Sequence, residues 1–304
     1  MRAVAFSNGI GNLVIFSSII RCLEHHFGEK LNFIYDSMRD CEVQFEILRI
    51  AKNLSSINEV VDFWTGKTYE SVYMSRHNNY CQMYDQFVFT SKDNEFDWAF
   101  SGLSELAYYY NEIRLRYDYK GPIFPQEIPI DSQYDLKPFG NYFCIANGFN
   151  TVGGPAMERK AYPYWNEVVS ILRRMFPKVG IVVLGGLSDY EWAKELPGVI
   201  NMAGRLNILQ TSALISGANA IITNDTGVFH IADALKKPTV VIFGPTLTSK
   251  NGPINNTSVV VQSPIECAPC QGRKGWFVCN DNPQCMKTID PSMVISALLS
   301  ILCK

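Results

Sequence analysis

Short apolar runs alternate with helical apolar spacings along this chain. Ala3–Phe6 has strand length and leads into Ser7-Asn8-Gly9-Ile10-Gly11-Asn12, a loop of small residues. Leu13, Phe16, Ile19, Ile20 and Leu23 then recur at helical spacing. Leu31–Tyr35 reads as the next strand, and Phe45, Leu48 and Ile50 mark a second helix. Val60–Phe63, Ser71–Met74 and Gln86–Phe89 are short strand candidates, and Leu103–Leu115 predicts a tyrosine-rich helix. Strand alternating with helix favours a parallel α/β sheet.

Pro122, Pro125, Pro129 and Pro138 crowd residues 121–140, where they remove backbone donors and disfavour helix. This segment reads as a connector. A second α/β run follows: strand Tyr142–Ala146, helix Tyr164–Phe176, strand Gly180–Leu184, and helices Asp189–Leu196 and Ile208–Ser216. Ser292–Leu302 predicts a final amphipathic helix. The expected division is 1–136 and 137–304. Two such halves leave a cleft between the carboxyl edges of their sheets, where open α/β sheets bind ligands.

Residues 219–246 carry the clearest chemistry. Ala220–Thr223 reads as a buried strand, and Asn224-Asp225-Thr226-Gly227 as a turn opening a helix that runs to about Leu235. Pro238 then sets the start of strand Thr239–Phe243, closed by Gly244-Pro245-Thr246. A helix that starts directly after a strand offers backbone N–H groups and the positive end of its dipole to a phosphate. Thr226 and His230 are four apart and share a helix face. Asp225 is open to two readings, an ordinary helix N-cap or a ligand contact.

Composition narrows the partners. A 47% hydrophobic and 18% charged chain of 304 residues has a real core and room for two domains. A net charge of −2 gives no case for nucleic acid. No 20-residue apolar span is present, so no transmembrane segment is expected, and peripheral membrane contact stays open. Ala3–Ile20 is uncharged but broken by Ser7, Asn8, Gly9, Gly11 and Asn12, which suits a strand, loop and buried helix better than a signal peptide. A cytoplasmic location is the expectation.

Four motifs together resemble glycosyltransferase family 9, the ADP-heptose:lipopolysaccharide heptosyltransferase group. They are Asn147-Gly148 with Lys160-Ala161-Tyr162-Pro163-Tyr164-Trp165; Leu184-Gly185-Gly186 with acidic residues after it; Asn201-Met202-Ala203-Gly204; and Asn224 through Thr246. The resemblance implies a GT-B fold of two Rossmann-like domains. The first would hold the acceptor and the second a nucleotide diphosphate sugar, with ADP-heptose as donor. The last helix could pack back on the first domain. It implies inverting transfer to a hydroxyl of a lipopolysaccharide core or other glycan, with no metal at the chemical step. Gly186, Asp225, Thr226, Gly227 and His230 would line the donor site, and Lys160 would place a point charge on the phosphates. Glu191 would touch sugar or ribose hydroxyls, with Asp189 as the alternative.

One position departs from the family. Many of its members place an aspartate base after a glycine in the first loop, where this chain has Asn12. An amide cannot accept the proton. Asp36, Asp40, Asp62, Asp85 or Asp97 could supply a base, Asn12 could position the acceptor, or the protein could bind a nucleotide sugar without transferring it. A protein acceptor is a further variant.

Nine cysteines divide into two sets. Cys22, Cys41, Cys81, Cys144 and Cys303 read as small buried hydrophobes. Cys267-x2-Cys270-x8-Cys279-x5-Cys285 has metal-ligand character that suits structural zinc or iron, with four reduced thiols as the alternative.

Overall fold

A computed structural model describes residues 2–6, 9–35, 41–62, 86–90, 104–148, 159–271, 279 and 284–303. The chain divides into two compact units, Met1–Pro129 and Ile130–Lys304. The expected strand Ser71–Met74, together with Asp36, Asp40, Asp85, Asp97 and Cys81, lies outside the described residues.

The first unit holds β1 (Arg2–Phe6), α1 (Ile10–Phe27), β2 (Leu31–Tyr35), α2 (Cys41–Lys52), β3 (Ile57–Asp62), β4 (Gln86–Thr90) and α3 (Glu105–Tyr117). Its four described strands are parallel in the order β3-β2-β1-β4. From β1 the chain builds outward through β2 and β3, then returns to place β4 on the other side. The strand order therefore reverses between β1 and β4, the kind of crevice where open α/β sheets take ligands. Helix α1 is buried on nearly every side, from Leu13 through Leu23. Such a helix has neighbours all round. One neighbour is α3, where Tyr109 meets the Phe16 ring edge-on at 5.5 Å. Another is the proline-rich segment. Arg21 donates to the Pro125 carbonyl at 2.8 Å, Ser18 donates to that of Phe124, and Ser17 Oγ accepts from Glu127 N at 2.7 Å. The buried serines of α1 thus hold the segment read as a connector.

The second unit runs β5 (Tyr142–Ala146), α4 (Trp165–Met175), β6 (Gly180–Val183), α5 (Tyr190–Lys194), β7 (Ile200–Asn201), α6 (Ile208–Gly217), β8 (Ala220–Asn224), α7 (Gly227–Ala234), β9 (Thr239–Phe243), α8 (Thr248–Asn251), β10 (Ser258–Gln262), α9 (Gln284–Lys287) and α10 (Pro291–Leu302). All six strands are parallel, in the order β10-β9-β8-β5-β6-β7. Strands β5, β8 and β9 are buried throughout, as expected of parallel strands covered on both faces. Here the order reverses between β5 and β8. Helix α10 packs on α4 and on β8, β9 and β10 within this unit, through Val294, Ile295, Leu298 and Ile301.

The expected helix Asp189–Leu196 is shorter: a 3-10 turn at Leu187–Asp189 passes directly into α5. Pro197 and Gly198 follow, and Gly198 has φ +66°, a backbone that ends a helix. Cys22 and Cys144 are buried as read, but Cys303 is exposed because it follows the last turn of α10 beyond the core.

Candidate functional site

The reversal of strand order between β5 and β8 is where the second unit concentrates its buried polar groups. Two asparagines build the place. Asn147, just after β5, accepts from Tyr162 N at 2.7 Å and donates to Tyr162 O at 3.2 Å. Asn224, the last residue of β8, donates to the carbonyls of Gly148 (3.1 Å) and Lys160 (2.8 Å). These bonds fasten the segment around Lys160 to the end of β8 although 64 residues separate Lys160 from Asn224. Asn224 Oδ1 is buried and has no hydrogen-bond partner among the described residues.

Lys160 and Asp225 meet as a result. Lys160 Nζ donates to Asp225 Oδ2 at 2.9 Å, with the two side chains 15% and 4% exposed. His230 Nε2 stands 3.7 Å from Asp225 Oδ1. Burial pushes the Asp225 carboxyl up, but Lys160, His230 and Thr246 outweigh it, so the group lies below the usual carboxylate range. Burial and the Lys160 charge push His230 down to about 4 against the pull of Asp225. At neutral pH Asp225 is therefore a carboxylate anion and His230 a neutral imidazole.

The N-cap reading of Asp225 is overturned. The N-cap of α7 is Thr226, in extended backbone, and its side chain makes no capping bond. Its hydroxyl faces that of Thr223 at 3.3 Å instead. Asp225 cannot cap because its carboxylate is drawn to Lys160. The first turn of α7, from Gly227, thus has no side-chain cap, and its amides and dipole are available to an anion.

Gly186 and the acidic residues after it form a separate turn. Gly186 N donates to Asp189 Oδ2 at 2.9 Å, so Asp189 serves this loop. Glu191 is 78% exposed and pairs with Lys194 at 3.0 Å. The third motif locks onto this turn. Gly204 N donates to Gly185 O at 3.0 Å, and Gly204 has φ +66°, a conformation that favours glycine. A Cβ there would meet the Leu187 backbone at 2.8 Å.

The four clustered cysteines are free thiols. Cys285 is buried and Cys270 Sγ lies 3.7 Å from the Pro245 carbonyl. Burial raises the Cys285 thiol to about 11. Among the described residues, no group of three or more His, Cys, Asp or Glu side chains is placed to hold a metal ion.

In the first unit, Asn12 is not in a loop. It lies in the first turn of α1, after the N-cap Gly9. Its Nδ2 lies 3.0 and 2.9 Å from the two carboxylate oxygens of Glu105. Glu105, 5% exposed, opens α3 behind the N-cap Ser104. Sequence reasoning missed Glu105, because it stands 93 residues from Asn12 in no recognisable motif. A carboxylate at a helix start is the one local signal, and it reads first as favourable capping charge.

Residues 153–279 match the sequence profile of glycosyltransferase family 9 (heptosyltransferase). This span includes Lys160, Asp225 and His230. Over this span the chain is similar to the heptosyltransferases. Lipopolysaccharide heptosyltransferase 1 of Pseudomonas aeruginosa is 29% identical over 186 residues, 55% of this chain and 50% of that protein. The chain spans about half the length of the first curated relatives it matches. The E. coli ADP-heptose lipopolysaccharide heptosyltransferase II structure superposes with TM-score 0.69 at 17% identity, covering 100% of this chain and 99% of that one. TibC of enterotoxigenic E. coli H10407, a dodecameric iron-containing heptosyltransferase, superposes at 0.65 in complex with ADP-D-beta-D-heptose, with 15% identity and coverage of 99% and 77%. The structural likenesses establish the α/β GT-B fold of two Rossmann-like parallel-sheet units. Among the described residues no helix is long and apolar enough to cross a membrane.

Proposed function

We propose that this protein is an inverting glycosyltransferase. It moves a sugar, heptose by the resemblance, from a nucleoside diphosphate to a hydroxyl of a lipopolysaccharide core or other glycan. The observation that carries the reading is the uncapped start of α7 beside the buried Lys160, Asp225 and His230, at the point where strand order reverses. The first-turn amides of α7 and the lysine cation supply what a departing diphosphate needs without a metal. Asp225 holds Lys160 in place, and neutral His230 has a ring N–H to offer an oxygen. Asn224 Oδ1, unpartnered among the described residues, provides a buried acceptor beside the site. ADP-heptose is the donor that fits the relatives, and Glu191 the residue for its sugar or ribose hydroxyls.

The chemistry divides between the units. In this reading the second holds the donor and the first the glycan acceptor. The acceptor oxygen forms a bond to the anomeric carbon, and the bond from that carbon to the diphosphate breaks. The electron pair leaves with the nucleotide, and the acceptor hydroxyl gives its proton to a general base. Four thiolates suit zinc or iron, and an ion at Cys267, Cys270, Cys279 and Cys285 would serve structure, since a closed four-ligand site keeps no open position. Metal analysis of tag-free protein tests that assignment, and substoichiometric zinc and iron would sink it.

The deciding experiment incubates the protein with ADP-heptose, with and without heptose-deficient lipopolysaccharide, and follows ADP release. Acceptor-dependent ADP release is expected. Tight ADP-heptose binding with no release under any glycan or protein acceptor would instead favour a sugar-nucleotide-binding protein without transferase activity.

A further inference from the structure

We infer that Thr246 is a further positioning residue of the donor site and that Gln271 sets it in place. The inference rests on the reading of the Lys160–Asp225 cluster as the donor site, and it adds two residues behind that cluster. The first observation is where Thr246 stands. Strand β9 runs parallel to β8, with Ile242 opposite Asn224. Asp225 follows β8 directly and Gly244-Pro245-Thr246 follows β9, so both belong to the same edge of the sheet. Thr246 is 2% exposed, and its hydroxyl makes no hydrogen bond of ordinary geometry among the described residues. Buried hydroxyls are seldom left so in folded proteins. Asp225 is the neighbour that accounts for it, since the hydroxyl lies near enough to help hold that carboxyl low. A second donor beside the carboxylate, in addition to Lys160, restricts its rotation.

The second observation is how firmly the chain on either side of Thr246 is held. Gln271 N donates to Pro245 O at 3.0 Å, and Gln271 Oε1 accepts from Leu247 N at 2.8 Å. One residue thus bonds to both neighbours of Thr246. Gln271 is 5% exposed, and its Nε2 donates to Asn251 Oδ1 at 3.3 Å. Leu247 precedes α8 and Asn251 ends it, so the same side chain spans that helix. The start of the loop is fixed as well. Gln262 Nε2 donates to Gly244 O at 3.1 Å, and Cys270 N donates to Pro245 O at 3.0 Å. A Cβ on Gly244 would stand 3.0 Å from Cys285 Sγ and collide with Met286 Sδ. Groups that meet a ligand are precise when the residues behind them are locked by hydrogen bonds and packing. Gln271 locks Thr246, Thr246 steadies Asp225, and Asp225 holds Lys160 for the departing diphosphate.

The test compares the full chain as wild type, Q271M, T246V, T246S, N251A and Q271M/T246V. It measures ADP-heptose affinity by calorimetry, steady-state rates with ADP-heptose and heptose-deficient lipopolysaccharide, and thermal unfolding. T246V keeps the shape of the side chain and removes its hydroxyl. Q271M keeps the length and removes the bonds to Leu247 and Asn251. Each should weaken ADP-heptose binding about tenfold and raise the donor KM with it. T246S returns the hydroxyl and should recover most of that loss. N251A removes only the Asn251 bond and should stay within about twofold of wild type. Q271M/T246V should lose no more than T246V, because Gln271 acts through Thr246. A merely structural pair would lower the unfolding temperature and leave the affinity of the folded protein alone. T246V breaks no hydrogen bond of ordinary geometry, so it carries the test if Q271M fails to fold. ADP-heptose affinity within about twofold of wild type in both Q271M and T246V would overturn the inference, as would T246S as weak as T246V. Wild type that binds ADP-heptose and releases no ADP would overturn the transferase reading alone, since the affinities are read without turnover. Wild type that does not bind ADP-heptose would overturn the donor-site reading and this inference together.

Discussion

The two sheets reverse strand order at β1/β4 in the first unit and at β5/β8 in the second, and each reversal holds one buried carboxylate with a different kind of partner. In the second unit the partner is a cation, Lys160, 2.9 Å from Asp225, with His230 beyond it. In the first a neutral amide, Asn12, is among the partners of Glu105. A carboxylate tied to lysine is held ionised and has little appetite for a proton, so it suits binding and orientation. The same supersecondary frame thus sets a buried carboxylate against a lysine in one unit and against an asparagine amide in the other.

Removing the lysine–aspartate pair should break the comparison most severely. Lys160→Ala and Asp225→Ala each strand a buried charge. Each should cost about 3–5 kcal/mol of stability and lower ADP affinity by more than about 100-fold. Calorimetry with ADP, alongside denaturant unfolding, reads both quantities. Unchanged ADP affinity in both variants would show that the second site is not the donor site.

Acid should act next, and on the second unit first. His230 is depressed from about 6.5 to about 4, so between those values the unfolded chain binds more protons than the folded one. Stability is therefore full above about pH 6.5 and falls as pH drops toward 4, by an amount on the order of 3 kcal/mol. The lowered Asp225 carboxyl has the same sign, with stability present above its ordinary value and lost at lower pH. Trp165 and Trp192 lie 6.0 Å apart, between ring centroids, within this unit and report its unfolding by fluorescence. Equal stability at pH 5 and pH 7 would contradict the neutral, buried imidazole.

A smaller effect sharpens the donor side. Glu191→Ala should lower ADP-heptose affinity about tenfold and leave stability alone, because an exposed pair with Lys194 is worth little. Lys194→Ala is the control and should change neither. Equal small losses in both would return Glu191 to the surface. Smallest of all, Asn12→Ala should leave ADP affinity within about twofold of wild type, since position 12 belongs to the first unit. A large loss there would erase the division of labour between the units.

Much of the second site is legible in the sequence because its central part is contiguous. Ala220–Phe243 reads as strand, turn, helix and strand, and β8, α7 and β9 follow nearly as read. Other features are hidden. By sequence Asp225 is equally suited to capping α7, and only its distance to Lys160 shows where its carboxylate goes. Asn147 reads as part of a motif, and its double bond to Tyr162 shows that it folds the Lys160 segment into place. Strand β10 is missing from the sequence reading, although Ser258–Gln262 completes the sheet beside β9.

By itself, then, the sequence determined what depends on near neighbours. That covers the alternating elements, two parallel-sheet units, and a helix, α7, that opens directly after strand β8. These follow from periodicity and from residues adjacent in the chain, where backbone geometry alone puts groups together. Tertiary structure decided which distant side chains become partners: Lys160 with Asp225 across 65 residues, and Asn12 with Glu105 across 93. The physical reason is that a parallel sheet gathers the ends of separate strands along one edge. Residues that no local pattern relates are brought into hydrogen-bonding range there, and burial then makes their mutual charge and hydrogen bonds count.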